Sequence, residues 1–188
     1  MYTSHHEFDS MIDEFKKEIL KLKNKKHVNK DFLQNFLERA YKGALSADEN
    51  PIDHFCCCFL PFDSKSKKIF MGQHIKSQDL LSPGGHVKKN EQPIQTIKRE
   101  FYEELKYKIN KEKVELFDLA ITDRIKDPRN CKIHYDLWYI VYIDKIDFDF
   151  DKGEFYNAKW LTIDEALKIM KRESFKDVIR KLPLSLVQ

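Results

Sequence analysis

The stretch GGHVKKNEQPIQTIKREFYEELKY, Gly84 to Tyr107, limits the possible folds more than any other part of the chain. Pro93 suits a first helical turn, where its missing N–H costs nothing, and the spacing predicts a helix from there to about Lys106. With about 3.6 residues per turn, Ile94, Ile97, Phe101 and Leu105 fall on one narrow stripe that must face a core. Taking Ile94 as zero, Glu100, Glu103 and Glu104 project at about 240°, 180° and 280°, which puts them at the rim of that core. Like charges three and four residues apart repel by a few tenths of a kcal/mol per pair, so a positive group is expected among them.

Carboxylates that are partly desolvated together stay ionised only beside a cation, and hard oxygen ligands favour Mg²⁺, or Mn²⁺, over zinc. Mg²⁺ sites of this kind commonly take substrate phosphates as further ligands. Ahead of the helix, Gly84 and Gly85 let the backbone come close to other groups, the next loop brings Glu91 to the same region, and Arg99 can orient a carboxylate. The string REFYEEL alone also reads as a solvated charged face. The wider pattern has to choose between the two.

The rest of the chain supplies the layers. At 188 residues it suits one domain with an appendage. Residues 1–50 carry two amphipathic helices. Phe8, Met11, Ile12, Phe15, Ile19 and Leu22 mark the first, and Phe32, Leu33, Phe36, Leu37, Ala40 and Tyr41 the second, with Asn29 or Asp31 as N-cap. Helices this short must pack on the main domain or on a second subunit, so a homodimer is one solution. After the break at SADENP, residues 51–188 read as strands HFCCCFLPF, KKIFMGQH, EKVELFDLAITDRI and CKIHYDLWYIVYI, with the glutamate helix between the second and third. Thr162 and Glu165 form a capping box for a later helix, and Ser174 starts a last one expected to stop at Pro183. This order describes an α/β/α sandwich around a mixed β-sheet, with an N-terminal helical extension.

Lys plus Arg number 34 against 31 for Asp plus Glu, a net charge of +3, and the basic residues are dispersed. Such a surface gives little support for a nucleic-acid partner. No apolar run is long enough for a membrane span or a signal peptide, which reads as a cytoplasmic chain. Cys56, Cys57 and Cys58 are adjacent, so along a strand they alternate between faces and cannot form a CxxC clamp. With Cys131 they read as buried, reduced thiols.

Gly85, Glu91 and then Arg99-Glu100-Phe101-Tyr102-Glu103-Glu104-Leu105-Lys106-Tyr107 closely resemble the Nudix box, G-x5-E-x7-R-E-U-x-E-E-x-G-U, in which U is bulky and apolar. One fixed position departs, because Lys106 stands where the family has the glycine that ends the helix. That glycine favours a left-handed conformation in which a β-carbon costs about 1 kcal/mol, and no ligand is lost. The segment AKWLTIDEAL is also similar to a tryptophan-bearing strand and helix common in these domains. The resemblance implies a Nudix α/β/α sandwich and Mg²⁺-dependent hydrolysis of a nucleoside diphosphate linked to another group X. By position it implies that Glu100, Glu103 and Glu104 hold metal, with one of them acting as base. Arg99 and Glu91 would orient that set, and the backbone at Gly84 and Gly85 would approach metal or diphosphate. The implied partner is a small nucleoside diphosphate derivative, with a 5′-capped RNA end the one nucleic acid compatible with it. The alternative from another class is a catalytically silent Nudix-fold module that binds a nucleotide or docks on a partner. The full carboxylate set also disfavours an isomerase.

Outside the box, His134 and Asp136 share a strand face with Trp138, either as a pocket wall that meets substrate or as a satisfied buried pair. His86, directly after the glycines, is a further candidate near the phosphates. Arg124, Lys126 and Arg129 occupy a basic loop that could meet an anionic substrate or only solvent. The proline of many ADP-ribose hydrolases lies closer behind the box than Pro128, and the tyrosine of dinucleoside polyphosphate hydrolases is missing from its usual place. Both subfamilies are disfavoured.

Overall fold

The computed structural model describes residues 3–123 and 131–185, which leaves Arg124, Lys126, Pro128 and Arg129 outside the described residues. Its centre is β1 (Asp53–Asp63), whose residues from His54 onward are all buried, as a strand covered on both faces must be. β1 runs parallel to β6 (Ile133–Tyr142), which pairs antiparallel with β5 (Lys113–Asp123). On its other side β1 pairs antiparallel with β2 (Lys68–His74) at one end and with β4 (Gly84–His86) at the other. β3 (Asp79–Leu81) and β7 (Phe155–Leu161) flank β2, completing a mixed sheet of seven strands.

Alternation along β1 divides the core in two. Phe55, Cys57 and Phe59 face a layer built by α1 (Thr3–Leu20), α2 (Lys30–Tyr41) and α3 (Pro93–Leu105). Cys58, Leu60 and Phe62 face α4 (Ile163–Ile169) and α5 (Glu173–Ser185). This is the expected α/β/α sandwich. The two N-terminal helices pack on the protein's own sheet, with Phe15, Ile19, Leu33 and Phe36 in the same cluster as Phe55 and Tyr139. Asn29 caps α2 by accepting from the N–H groups of Asp31 and Phe32. Arg39, 4% exposed, donates to the carboxylate and carbonyl of Asp53 and to the carbonyls of Gly43 and Ala44, which fastens the end of α2 to the start of β1.

Two departures from expectation have local causes. β3 and β4 are three residues each, too short to show a period, and the glycines of β4 hide its strand character. α5 continues past Pro183 to Ser185, because a proline in the last turn forfeits only one backbone bond. All four cysteines are buried and free, as read from the sequence. Among the described residues no helix is long and apolar enough to cross a membrane.

Candidate active site

β4 and α3 make the site between them. Gly84 has φ +147°, and a β-carbon there would strike the Cys57 carbonyl; one on Gly85 would collide with the Glu100 carboxylate. The two glycines thus let β4 lie against both β1 and the acidic face of α3. The backbone N–H of Gly84 donates to Glu104 Oε2 at 2.9 Å.

Arg99 is the positive group that the glutamate spacing called for. It holds Glu91 in a two-pronged pair, Nε to Oε1 at 2.6 Å and Nη2 to Oε2 at 2.8 Å. Its Nη1 donates to Glu100 and, at 3.2 Å, to Glu103 Oε2, while Nη2 also reaches the His86 carbonyl at 3.0 Å. Sequence reasoning gave Arg99 one carboxylate; it binds three. Glu91 is further fixed by the Thr96 hydroxyl at 2.9 Å and the Lys88 N–H at 3.2 Å, partners with no signature in the box.

The three helix carboxylates are graded in burial rather than alike. Glu104 is 9% exposed, the Glu100 side chain 13% and the Glu103 side chain 50%, because Glu103 projects farthest from the apolar stripe. Burial pushes the Glu100 carboxyl up in spite of Arg99. Glu104 is pushed well up by burial and then by the charge of Glu100, against the Gly84 N–H bond. Glu91 also feels burial raising it, but Arg99, the Lys88 N–H and Thr96 outweigh this and bring it down to about 2.

The donor set fits a divalent cation. With all four ionised, Glu91, Glu100, Glu103 and Glu104 would carry four negative charges, against which stand Arg99 and Lys88, whose Nζ lies 3.7 Å from Glu103 Oε1. Four minus two leaves an excess of two negative charges, concentrated on the buried end where Glu104 resists ionisation.

These groups open into a cleft of about 1290 Å³. Glu100, Glu103 and Glu104 border it together with Arg99, Gly84, Gly85, His86, His134 and Asp136, so among the described residues every candidate of the box and of the histidine wall except Glu91 lines the cleft, and Glu91 stands behind Arg99. Lys76, Lys88 and Arg172 add cationic side chains that sequence reasoning missed, since each lies in an unremarkable charged run. His134 and Asp136 do share their face with Trp138, and Asp136 accepts from the Thr122 hydroxyl at 2.5 Å.

A sequence model of the NUDIX domain matches residues 54–182, well over half of the chain. The chain belongs to the Nudix family. A curated relative from Lactococcus lactis subsp. cremoris (strain MG1363), named as a probable DHNTP pyrophosphohydrolase, is 29% identical over 111 residues. That match spans 57% of this chain and 64% of the relative's length. The Nudix sandwich is similar to that of the E. coli dihydroneopterin triphosphate pyrophosphohydrolase, with a TM-score of 0.61 and 16% identity over 69% of this chain and 94% of that one. A C. elegans Ap4A hydrolase binary complex gives the same TM-score and identity over 71% of this chain and 97% of that one. At such identities the structural likeness speaks for the fold alone.

The Lys106 departure is now explained. Lys106 ends α3 in the left-handed conformation, φ 52° and ψ 26°, with its N–H on the Tyr102 carbonyl. Its Nζ donates to the Glu103 carbonyl at 2.6 Å and lies 3.4 Å from Asp151, so side-chain contacts offset the strain a glycine would avoid.

Proposed function

We propose that this Nudix protein is a Mg²⁺-dependent pyrophosphohydrolase that cleaves the diphosphate of a nucleoside diphosphate linked to another group X. The observation that carries the reading is the Arg99 hub, which gathers Glu91, Glu100 and Glu103 beside the buried Glu104. A complete, charge-excess carboxylate set is more than a silent nucleotide-binding module requires, since its burial is costly without a cation.

Glu100, Glu103 and Glu104 would hold Mg²⁺, with Mn²⁺ the alternative. When bound, the ion neutralises diphosphate oxygens and lowers the pKa of coordinated water. Arg99, anchored on Glu91, keeps Glu100 and Glu103 aimed into the cleft, and the backbone at Gly84 and Gly85 receives the diphosphate. Lys88 and Arg172 offset its charge. We assign the proton-accepting role to Glu103, because it is the carboxylate of the three that meets bulk water. Water adds to one phosphorus, its proton passes to Glu103, and the bridging P–O bond breaks to leave two phosphate monoesters when X is an alcohol. The wall formed by His86, His134 and Asp136 borders X.

A substrate panel tests this. Nucleoside triphosphates including oxidised ones, dihydroneopterin triphosphate, nucleotide sugars, dinucleotides and capped RNA are incubated with the full chain, with Mg²⁺, with Mn²⁺ or with chelator. Metal-dependent cleavage at a phosphoric anhydride of at least one member is expected. If all remain intact with either ion, the reading fails.

A further inference from the structure

The sheet face turned away from α3 carries a second cluster of metal-binding side chains. His54 and Cys56 are two apart on β1 and share a face. His86 of β4 is the register partner of Cys56, and His134 of β6 that of His54, so four residues from three strands point the same way. Their ligand atoms all lie within 4.8 Å of one another. The three imidazole centroids are 4.6, 5.0 and 5.1 Å apart.

The rings are also oriented. His54 Nδ1 lies 2.9 Å from the Asn50 carbonyl, an acceptor only, so this nitrogen carries the proton and Nε2 presents its lone pair to the cluster, where Cys131 Sγ stands 3.5 Å away. His134 turns Nε2 toward the same sulfur at 2.6 Å and Nδ1 toward Asp136 Oδ1 at 3.9 Å. His54, whose far nitrogen donates to a carbonyl, is arranged as metal-bound histidines are. Donors around a tetrahedral zinc ion lie about 3.3 to 3.5 Å apart, which asks for a contraction of roughly 1 Å across this cluster. Three nitrogens and a sulfur suit zinc and do not suit Mg²⁺.

We propose that His54, Cys56, His86 and His134 bind a zinc ion that ties β1, β4 and β6 together within the cleft wall, which Cys56, His86 and His134 themselves border. Four protein ligands leave no open position, so the centre is structural. Cys56 binds as thiolate, and its proton leaves to solvent when the metal enters. Cys56 is the free, buried thiol that the sequence led one to expect, and the proposal gives it a ligand role because its partners come from other strands. The His86 carbonyl accepts from Arg99, so the zinc centre would also steady the hub of the carboxylate site.

The full chain is incubated with excess Zn²⁺, desalted and assayed by elemental mass spectrometry. About one zinc per chain is expected for wild type and for Glu104→Gln, and a loss of at least about fivefold for His54→Gln and for Cys56→Ser. Cobalt-loaded wild type should show a thiolate-to-metal charge-transfer band that Cys56→Ser lacks, and the wild-type spectrum decides the matter even if a variant misfolds. Wild type without stoichiometric zinc, cobalt-loaded wild type without the band, or zinc lost in Glu104→Gln but kept in Cys56→Ser would each overturn the proposal. None of these results depends on whether any diphosphate is hydrolysed.

Discussion

Gly85 and His86 are neighbours in β4, yet they serve opposite faces of the sheet and two kinds of chemistry. On the Gly85 side, hard oxygen donors crowd around one arginine and carry an excess of negative charge. On the His86 side, imidazoles and thiols pack beside Asp136, and burial lowers His54 against the Asn50 hydrogen bond and raises Cys56. The first site carries a repulsion that protonation of Glu104 or a bound cation relieves. The second is at ease without one and would pay only a thiol proton to take a soft metal.

This difference can be broken from the acidic side first. Glu104→Gln keeps an oxygen for the Gly84 N–H but deletes the charge, and should lower kcat by about 10²–10³-fold, the range for losing one preorganised electrostatic group. Because the buried Glu104 resists ionisation, the same variant should unfold at equal or higher urea than wild type in metal-free buffer. A parallel loss of stability would mean that Glu104 is structural glue.

Arg99→Ala comes next. It strands Glu91, Glu100 and Glu103 together, and urea unfolding should show a loss of about 2–3 kcal/mol, somewhat under the ~3–5 of a fully buried pair because the site is partly open. A loss under ~1 kcal/mol would show that the hub is a surface network.

Acid supplies a comparable effect through Glu91. Its folded pKa of about 2 lies below the unfolded 4.5, so the stability it contributes is fully present above pH 4.5 and is lost as pH falls toward 2. The amount is up to about 3 kcal/mol, read as the part of acid destabilisation that disappears in Glu91→Gln. The smallest effect belongs to Lys106→Gly, which removes left-handed strain together with the Glu103 and Asp151 contacts. Its stability should rise by no more than about 1 kcal/mol, with kcat unchanged within twofold by the same assays.

The same contrast explains what could be read in the sequence. The carboxylate site lies largely on one helix, so Glu100, Glu103 and Glu104 were legible from their phase taken together with the spacing of Gly85, Glu91 and Arg99 that resembles the Nudix box. The two-layer packing followed from the apolar stripes of α1, α2 and α3. What stayed hidden was whatever tertiary register assembles. The rank of burial among the three glutamates depends on how α3 leans on β4, and the three-residue strands around the glycines carry no period. The histidine and thiol cluster draws one or two residues from each of three strands, and H-x-C on β1 means little until β4 and β6 are laid beside it. Thr96 and Lys88 reach Glu91 through a hydroxyl and a backbone N–H, groups that any sequence offers everywhere.

The central claim is that the acidic face of α3 performs metal-dependent hydrolysis, and the most direct measurement is kcat of Glu103→Gln against wild type on whichever diphosphate the panel shows to be cleaved, at saturating Mg²⁺. Glu103 is half exposed, so the variant should fold with unchanged stability, and kcat should fall by at least about 10²-fold. A folded Glu103→Gln protein that turns over as fast as wild type would contradict the account.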